Sequence, residues 1–154
     1  MTKEEFIQLA TEAALACSRV SGFPAGITVA QAALESAWGK SRLSREANNY
    51  FGIKAHGSGA FIELPTTEIR QGKAVRCVAR FARYDAMQTC FADRDHLIAT
   101  LSCYADARAC AGDPEPFIRA LARHWATDPQ YADKVLAIYR QLLTANRFTQ
   151  RSSQ

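Results

Sequence analysis

Ala30-Gln31-Ala32-Ala33-Leu34-Glu35-Ser36-Ala37-Trp38-Gly39-Lys40-Ser41 sets a single carboxylate among apolar neighbours. Ala30, Ala33, Leu34, Ala37 and Trp38 recur at i, i+3, i+4 and i+7, the rhythm of one buried helix face. Thr28 with Gln31 three residues on reads as a capping box that opens the helix, and Gly39 reads as its C-terminal stop. Gln31 and Glu35 then sit one turn apart at the border of the apolar face, with Trp38 a further turn along. A carboxyl so placed is neither deep in a core nor freely solvated. Lost hydration penalises its charged form, so it holds a proton toward neutral pH. Such an acid can protonate the leaving oxygen of a glycosidic bond.

The rest of the chain is compatible with one domain of 154 residues, long enough to bury about two-thirds of its unfolded surface. Its 48% hydrophobic and 22% charged residues are those of a globular chain, with no apolar run of membrane-spanning length. The net charge of +4 is mild and diffuse, which suits a polyanionic surface but gives no nucleic-acid footprint. Met-Thr-Lys-Glu-Glu at the N-terminus lacks the character of a secretory signal, so synthesis in the cytosol is expected. Cys17, Cys77, Cys90, Cys103 and Cys110 form no CxxC pair and read as buried free thiols. His56, His96 and His124 have no metal-ligand spacing, so no metal or other cofactor is expected.

Thr2 and Glu5 predict a capping box for a first helix to about Arg19, with Phe6, Ala10, Ala13, Cys17 and Val20 inward. Gly22, Pro24 and Gly26 separate it from the Glu35 helix, and Ser41 caps a short third helix to about Ala47. The middle of the chain turns to period two. Runs at 67–70 and 74–81, joined at Gln71-Gly72-Lys73, predict a hairpin. Helices then resume: one capped by Asp85 with Gln88 and ending near Ser102, one from Asp113-Pro114 to about His124, and one from Asp128-Pro129 to about Leu143. A polar tail occupies 144–154. The class is α+β, a single mainly helical domain over 1–143 with one small β-lobe.

Chemistry needs a second group across the sugar from the acid. Glu63, Glu68 and Asp85 are the carboxylates around the hairpin, and Glu68 is preferred because Thr66-Thr67-Glu68-Ile69 opens a strand at the rim of the lobe. Asp85 and Asp128 read as helix caps. Flat apolar faces and adaptable polar groups for a saccharide are supplied by Trp38, Asn48, Asn49, Tyr50, Phe51, Tyr84, Trp125 and Tyr131.

Five blocks in order resemble one family. They are Gln31-Ala32-Ala33-Leu34-Glu35-Ser36-x-Trp38-Gly39-Lys40-Ser41, Ala47-Asn48-Asn49-x-Phe51-Gly52-Ile53-Lys54, Thr67-Glu68, Phe81-x-x-Tyr84, and Ala126-Thr127-Asp128-Pro129-x-Tyr131-Ala132. The likeness is to the bacterial β-N-acetylglucosaminidases of glycoside hydrolase family 73, which include flagellar-rod hydrolase domains, autolysins and phage lysins. The resemblance implies a lysozyme-like fold, with a glycan groove between a helical lobe and a small β-lobe. It implies cleavage of peptidoglycan at the β-1,4 bond between N-acetylglucosamine and N-acetylmuramic acid. By position, the family's catalytic acid falls on Glu35, its second carboxylate most nearly on Glu68, and its functional tyrosine in the block holding Trp125 and Tyr131. Many relatives begin that block with Tyr. Trp125 keeps a stacking face and one donor but has no phenolic oxygen, which leaves Tyr131 as the candidate.

The implied partner is the peptidoglycan strand, met in the cell wall by a monomer whose route there the sequence does not specify. A lytic transglycosylase or muramidase on the same fold, or a weakly catalytic wall-binding module, are the alternatives. A cysteine amidase is disfavoured, since no cysteine sits at a helix start beside a base.

Overall fold

The computed structural model of the protein describes residues 1–145. Seven helices and one hairpin follow in chain order: α1 (Lys3–Ser21), α2 (Ala25–Ser36), α3 (Arg42–Ala47), β1 (Phe61–Arg70), β2 (Lys73–Ala82), α4 (Met87–Thr100), α5 (Ala105–Ala109), α6 (Pro114–Trp125) and α7 (Tyr131–Thr144). The class is α+β as expected. Of the polar tail, Thr144 closes α7 and residues 146–154 lie outside the described residues.

α2 is the centre of the helical lobe. Every residue from Gly26 to Ala33 is buried, so the helix is enclosed all round and not on one face only. α1 and α7 pack against it, α4 packs on α1, and α6 joins α5 to α7. Small side chains on α2 let these neighbours approach, and Phe6, Phe91, Phe117, Ile27, Ile98, Ile118 and Leu121 fill the space between them. Burial on all sides also displaces the expected start. α2 begins at Ala25, with Pro24 as N-cap, and Thr28 is inside the helix with its hydroxyl donating to the Pro24 carbonyl (3.2 Å). Thr28 and Gln31 therefore form no capping box; both point at a buried arginine described below.

The other caps divide. Thr2 and Glu5 close the box at the head of α1, and the Ser41 side chain accepts from Ser44 N at the head of α3. Asp85 does not cap α4, which starts after Ala86 without a side-chain cap. Asp128 accepts from Gln130 N (2.9 Å) in the turn before α7, so Pro129 precedes the helix instead of opening it. Val20, expected inward, is 92% exposed because the last turn of α1 runs past its contacts, and Leu101 beyond α4 is also exposed. The five cysteines are free, but only Cys17 and Cys90 are buried; Cys103 is exposed.

Three successive residues leave α2 in the left-handed conformation: Ala37, Trp38 and Gly39. At Gly39 (φ 78°) a Cβ would also sit 3.0 Å from Met1 Sδ and 3.1 Å from Phe6 Cδ2, so only glycine fits. This tight exit stops the helix one residue after Glu35.

The β-lobe is longer than the sequence suggests. β1 and β2 pair antiparallel from Phe61↔Ala82 to Arg70↔Lys73, and Gln71 and Gly72, both with positive φ, make the two-residue turn. Pro65 lies within β1; in a two-stranded ribbon each strand keeps a free edge, so its missing N–H is tolerated. The hairpin stands out from the helices and is tied down at its base. Ala82 N donates to Ile53 O (3.0 Å), Ala55 N to Arg80 O (2.9 Å) and Tyr84 N to Ala47 O (2.9 Å). Among the described residues no helix is long and apolar enough to cross a membrane.

Candidate active site

A groove of about 850 Å³ runs between the two lobes. Its floor comes from the C-terminal end of α2, its walls from the 51–56 segment and β1 on one side and from Trp125 to Tyr131 on the other. Glu35, Phe51, Glu68, Trp125 and Tyr131 all line it.

Glu35 is half-buried on the last turn of α2. Tyr131, at the first position of α7, donates its hydroxyl to Glu35 Oε1 at 2.7 Å. Burial raises the Glu35 pKa above the ordinary glutamate value, while the Tyr131 hydroxyl and then the Trp125 indole N–H pull it down. The carbonyl end of the α2 dipole adds to the upward push. Burial is the largest of these causes, so the net shift is upward. Tyr131 is pushed far above the usual tyrosine range by burial and then by the neighbouring Glu35 charge, so it stays a neutral donor.

Glu68 has the opposite setting. On the hairpin, it accepts from Lys54 Nζ on one oxygen and from Arg70 Nη2 (3.2 Å) on the other. Hydrogen bonds from Lys54 and then from Arg70 lower its pKa, so it is an anion at neutral pH. One groove thus holds a carboxyl biased toward its acid form and another biased toward its base form. Paired titratable groups pushed apart in this way are the arrangement that acid–base chemistry uses.

The remaining expected sugar contacts do not line the groove. Asn49 is 1% exposed and spends its amide on backbone: Nδ2 donates to Ile53 O (2.8 Å) and Ala82 O (2.9 Å), and Oδ1 accepts from Ile53 N (3.1 Å) and Phe51 N (3.3 Å). Asn48 ends α3 in the left-handed conformation and donates to Tyr84 O (3.0 Å). Tyr50 is buried between Phe6 and Phe91. Trp38 packs edge-on against Phe6 with Lys3 Nζ 4.1 Å over its ring. Tyr84 donates to Asp93 Oδ2 (2.5 Å), which also holds His56 Nε2 (2.7 Å) and so braces one wall from behind. None of these five residues is among those that line the groove. Packing demand at the junction of the lobes claims side chains whose type alone suits a saccharide. Conversely, Lys54, His56, Ile69 and Asp128 line the groove without having been singled out as site residues. Lys54 closes the second sequence block, and its neighbourhood to Glu68 depends on a hairpin register that spacing does not reveal.

Among the described residues, no three His, Cys, Asp or Glu side chains converge in a way that could hold a metal ion.

The sequence model of the glucosaminidase family, described as mannosyl-glycoprotein endo-beta-N-acetylglucosaminidase, matches residues 11–144. The chain belongs to the glucosaminidase family. It is 38% identical over 148 residues to the peptidoglycan hydrolase FlgJ of Pseudomonas aeruginosa, covering 92% of this chain and 37% of that protein. It is 36% identical over 117 residues to the exo-glucosaminidase LytG of Bacillus subtilis, covering 73% of this chain and 42% of that protein. The chain therefore spans less than half the length of these relatives. Among solved structures, a peptidoglycan hydrolase mutant from Sphingomonas sp. A1 superposes with a TM-score of 0.78 at 35% identity, covering 92% of this chain and 98% of that one. The glycoside hydrolase domain of Salmonella typhimurium FlgJ, C-terminally truncated, superposes with a TM-score of 0.75 at 34% identity, covering 93% and 99%. The family fold is thus the lysozyme-like arrangement of helical lobe, hairpin and intervening groove.

Proposed function

We propose that this glucosaminidase-family chain hydrolyses the peptidoglycan strand at the β-1,4 bond between N-acetylglucosamine and N-acetylmuramic acid, with Glu35 as general acid. The observation that carries the reading is one groove lined both by Glu35, half-buried under the Tyr131 hydroxyl with its pKa raised by burial, and by Glu68, whose pKa is lowered by Lys54 and Arg70. Glu35 donates its proton to the departing muramic-acid oxygen, help typically worth about 10²–10⁴-fold in rate. As that proton leaves, charge grows on the carboxylate, and the Tyr131 hydroxyl and Trp125 N–H are already in place to stabilise it. Trp125 offers apolar surface to a sugar ring, with the buried Phe51 packed edge-on behind it.

Glu68 acts as the stabilising anion opposite. Lys54 and Arg70 reduce its basicity, which suits steering positive charge at the anomeric carbon more than stripping a proton from water. That favours attack by the substrate's own 2-acetamido group, with retention of configuration, over an inverting water mechanism. All these groups come from a single chain, so a monomer is sufficient for the chemistry.

Glu35→Gln tested on purified cell walls decides the main point. Clearing of turbidity is expected to fall by about 10²–10⁴-fold, and clearing at the wild-type rate would remove Glu35 from the acid role. Mass spectrometry of the released fragments separates the alternatives. Reducing N-acetylglucosamine ends support the hydrolase; anhydro-muramic ends would mean a lytic transglycosylase, and reducing muramic ends a muramidase. Proton NMR of the first anomer formed tests retention.

A further inference from the structure

The hairpin meets the groove along a strand edge, of which the chemistry above uses one side chain, Glu68. Thr67, Glu68 and Ile69 line the groove, whereas no residue of β2 does. Successive side chains of a strand point to opposite faces, so three in a row reach one cavity where it runs along the strand's edge. In a two-stranded ribbon that edge is the free one of β1.

The register fixes which backbone groups lie on it. The two-residue turn at Gln71 and Gly72 makes Arg70↔Lys73 a hydrogen-bonded pair, and bonded and non-bonded pairs then alternate down the ribbon. Thr67↔Arg76 and Ile69↔Ala74 are non-bonded pairs, so the N–H and C=O groups of Thr67 and Ile69 turn outward. Contacts at the base of β2 keep the same parity: Arg80 O accepts from Ala55 N and Ala82 N donates to Ile53 O, both away from β1. Pro65 keeps it too, since its pair with Val78 is non-bonded and needs no N–H. That proline closes the edge below Thr67 and leaves it open at 67 and 69, about 7 Å apart along the groove. Among the described residues, nothing bonds the backbone N–H or C=O of either one outside the ladder.

The charge beside this edge is positive. The hairpin carries Arg70, Lys73, Arg76 and Arg80 against Glu63 and Glu68. Arg76 reaches across the ribbon to Thr67 Oγ1 (3.5 Å) and meets no carboxylate among the described residues. We propose that the free edge of β1 at Thr67 and Ile69 holds the stem peptide of the peptidoglycan strand, as an added length of extended backbone. The muramic residue at the scissile bond carries that peptide, and Glu68, opposite that bond in the reading above, lies between the two open positions. Peptide amides meet the outward N–H and C=O groups, and peptide carboxylates meet Arg76 and its neighbours. The inference rests on peptidoglycan being the substrate.

The test compares peptide-bearing glycan with the same glycan stripped of its peptides by an amidase. Thr67→Pro removes one outward N–H without taking a bond from the β1–β2 ladder, and Thr67→Val removes only the hydroxyl. The ratio of kcat/KM on the two substrates should exceed about tenfold for the wild type and for Thr67→Val. In Thr67→Pro it should fall about five- to tenfold, the size of one lost hydrogen bond. Should Thr67→Pro fail to fold, amide NMR of the wild type with a muramyl peptide, which has no scissile bond, reads the same edge. The Thr67 and Ile69 amides should shift and exchange more slowly, while those of Thr66 and Glu68, bonded to β2, keep their exchange rates. Equal ratios in all three proteins, or the same shifts with N-acetylmuramic acid alone, would overturn the peptide assignment. Shifts that grow with protein concentration in the absence of ligand would overturn it in favour of a second copy paired on the edge. A wild type that cleaves neither substrate removes the hydrolase reading as well, whereas cleavage of both without preference removes only the edge.

Discussion

Asn49→Ala distinguishes a structural pin from a sugar ligand at a position where the residue type suits either. The Asn49 amide makes four buried hydrogen bonds with Phe51, Ile53 and Ala82. Deleting it strands Phe51 N, Ile53 N and Ala82 O; Ile53 O is spared because Ala82 N still donates to it at 3.0 Å. An unpaired buried polar group costs about 1–3 kcal/mol, so three come to about 3–5 kcal/mol after partial relaxation and water entry. For a domain of this size about 1 kcal/mol shifts Tm by roughly 2–4 °C, so a fall of about 6–20 °C is expected by calorimetry or circular dichroism. The same bonds join the 50–53 turn to the base of the hairpin, so Lys54 and Glu68 lose register and kcat drops on warming before global unfolding. Well below the transition, KM should change little because Asn49 touches no groove surface. A Tm within about 2 °C of wild type together with a several-fold higher KM would refute the reasoning and return Asn49 to the substrate.

Glu35→Gln should unfold at a higher temperature than wild type near pH 7, and the gain should vanish near pH 4. A carboxyl whose folded pKa is raised contributes fully below its unfolded value and loses that contribution as pH rises through the folded one; a constant difference across this range would mean that Glu35 is not desolvated. Tyr131→Phe removes the 2.7 Å donor from the developing Glu35 carboxylate. A fall in kcat of about 10–100-fold and an alkaline limb displaced to higher pH are expected from pH–rate profiles, and an unmoved limb counts against Glu35 as its source. Lys54→Met removes the main cause of the lowered Glu68 pKa, so the acid limb should move up in pH and activity should start to fall earlier on acidification. An acid limb that stays put means that Glu68 does not set it.

Local rules made most of the helical lobe readable. The Thr2–Glu5 capping box and the Ser41 cap depend on neighbours a few residues away, and α1 and α3 start where those neighbours place them, while α2 stops at Ala37, two residues before Gly39. Errors collected where distant residues overrule local preference. Thr28 and Gln31 have the spacing of a cap, but the partner that fixes their roles is Arg94, more than sixty residues on. Pro65 normally ends a strand, but a ribbon with a free edge carries β1 through it to Phe61. The candidate site divides in the same way. Glu35 and Tyr131 are legible as residue types in context, but their 2.7 Å contact joins positions 96 residues apart.

The separation of roles along α2 explains why a helix this small in side chain can serve as both core and site. Its alanines and Gly26 let α1 and α7 close over it, so the polar stripe from Thr28 to Glu35 is stripped of water along its length. Burial raises the cost of every unpaired polar atom on that stripe, and Arg94 meets the cost at Thr28 and Gln31 with three donated bonds. A fourth goes to Asp95. At the last turn the enclosure opens onto the groove, and Glu35 is the first member of the stripe with access to a ligand. The desolvation that raises the Glu35 pKa is thus the edge of the same packing that holds the lobe together. An acid of this kind cannot be moved one turn earlier, where nothing reaches it, or one turn later, where the left-handed exit at Ala37 and Trp38 ends the helix.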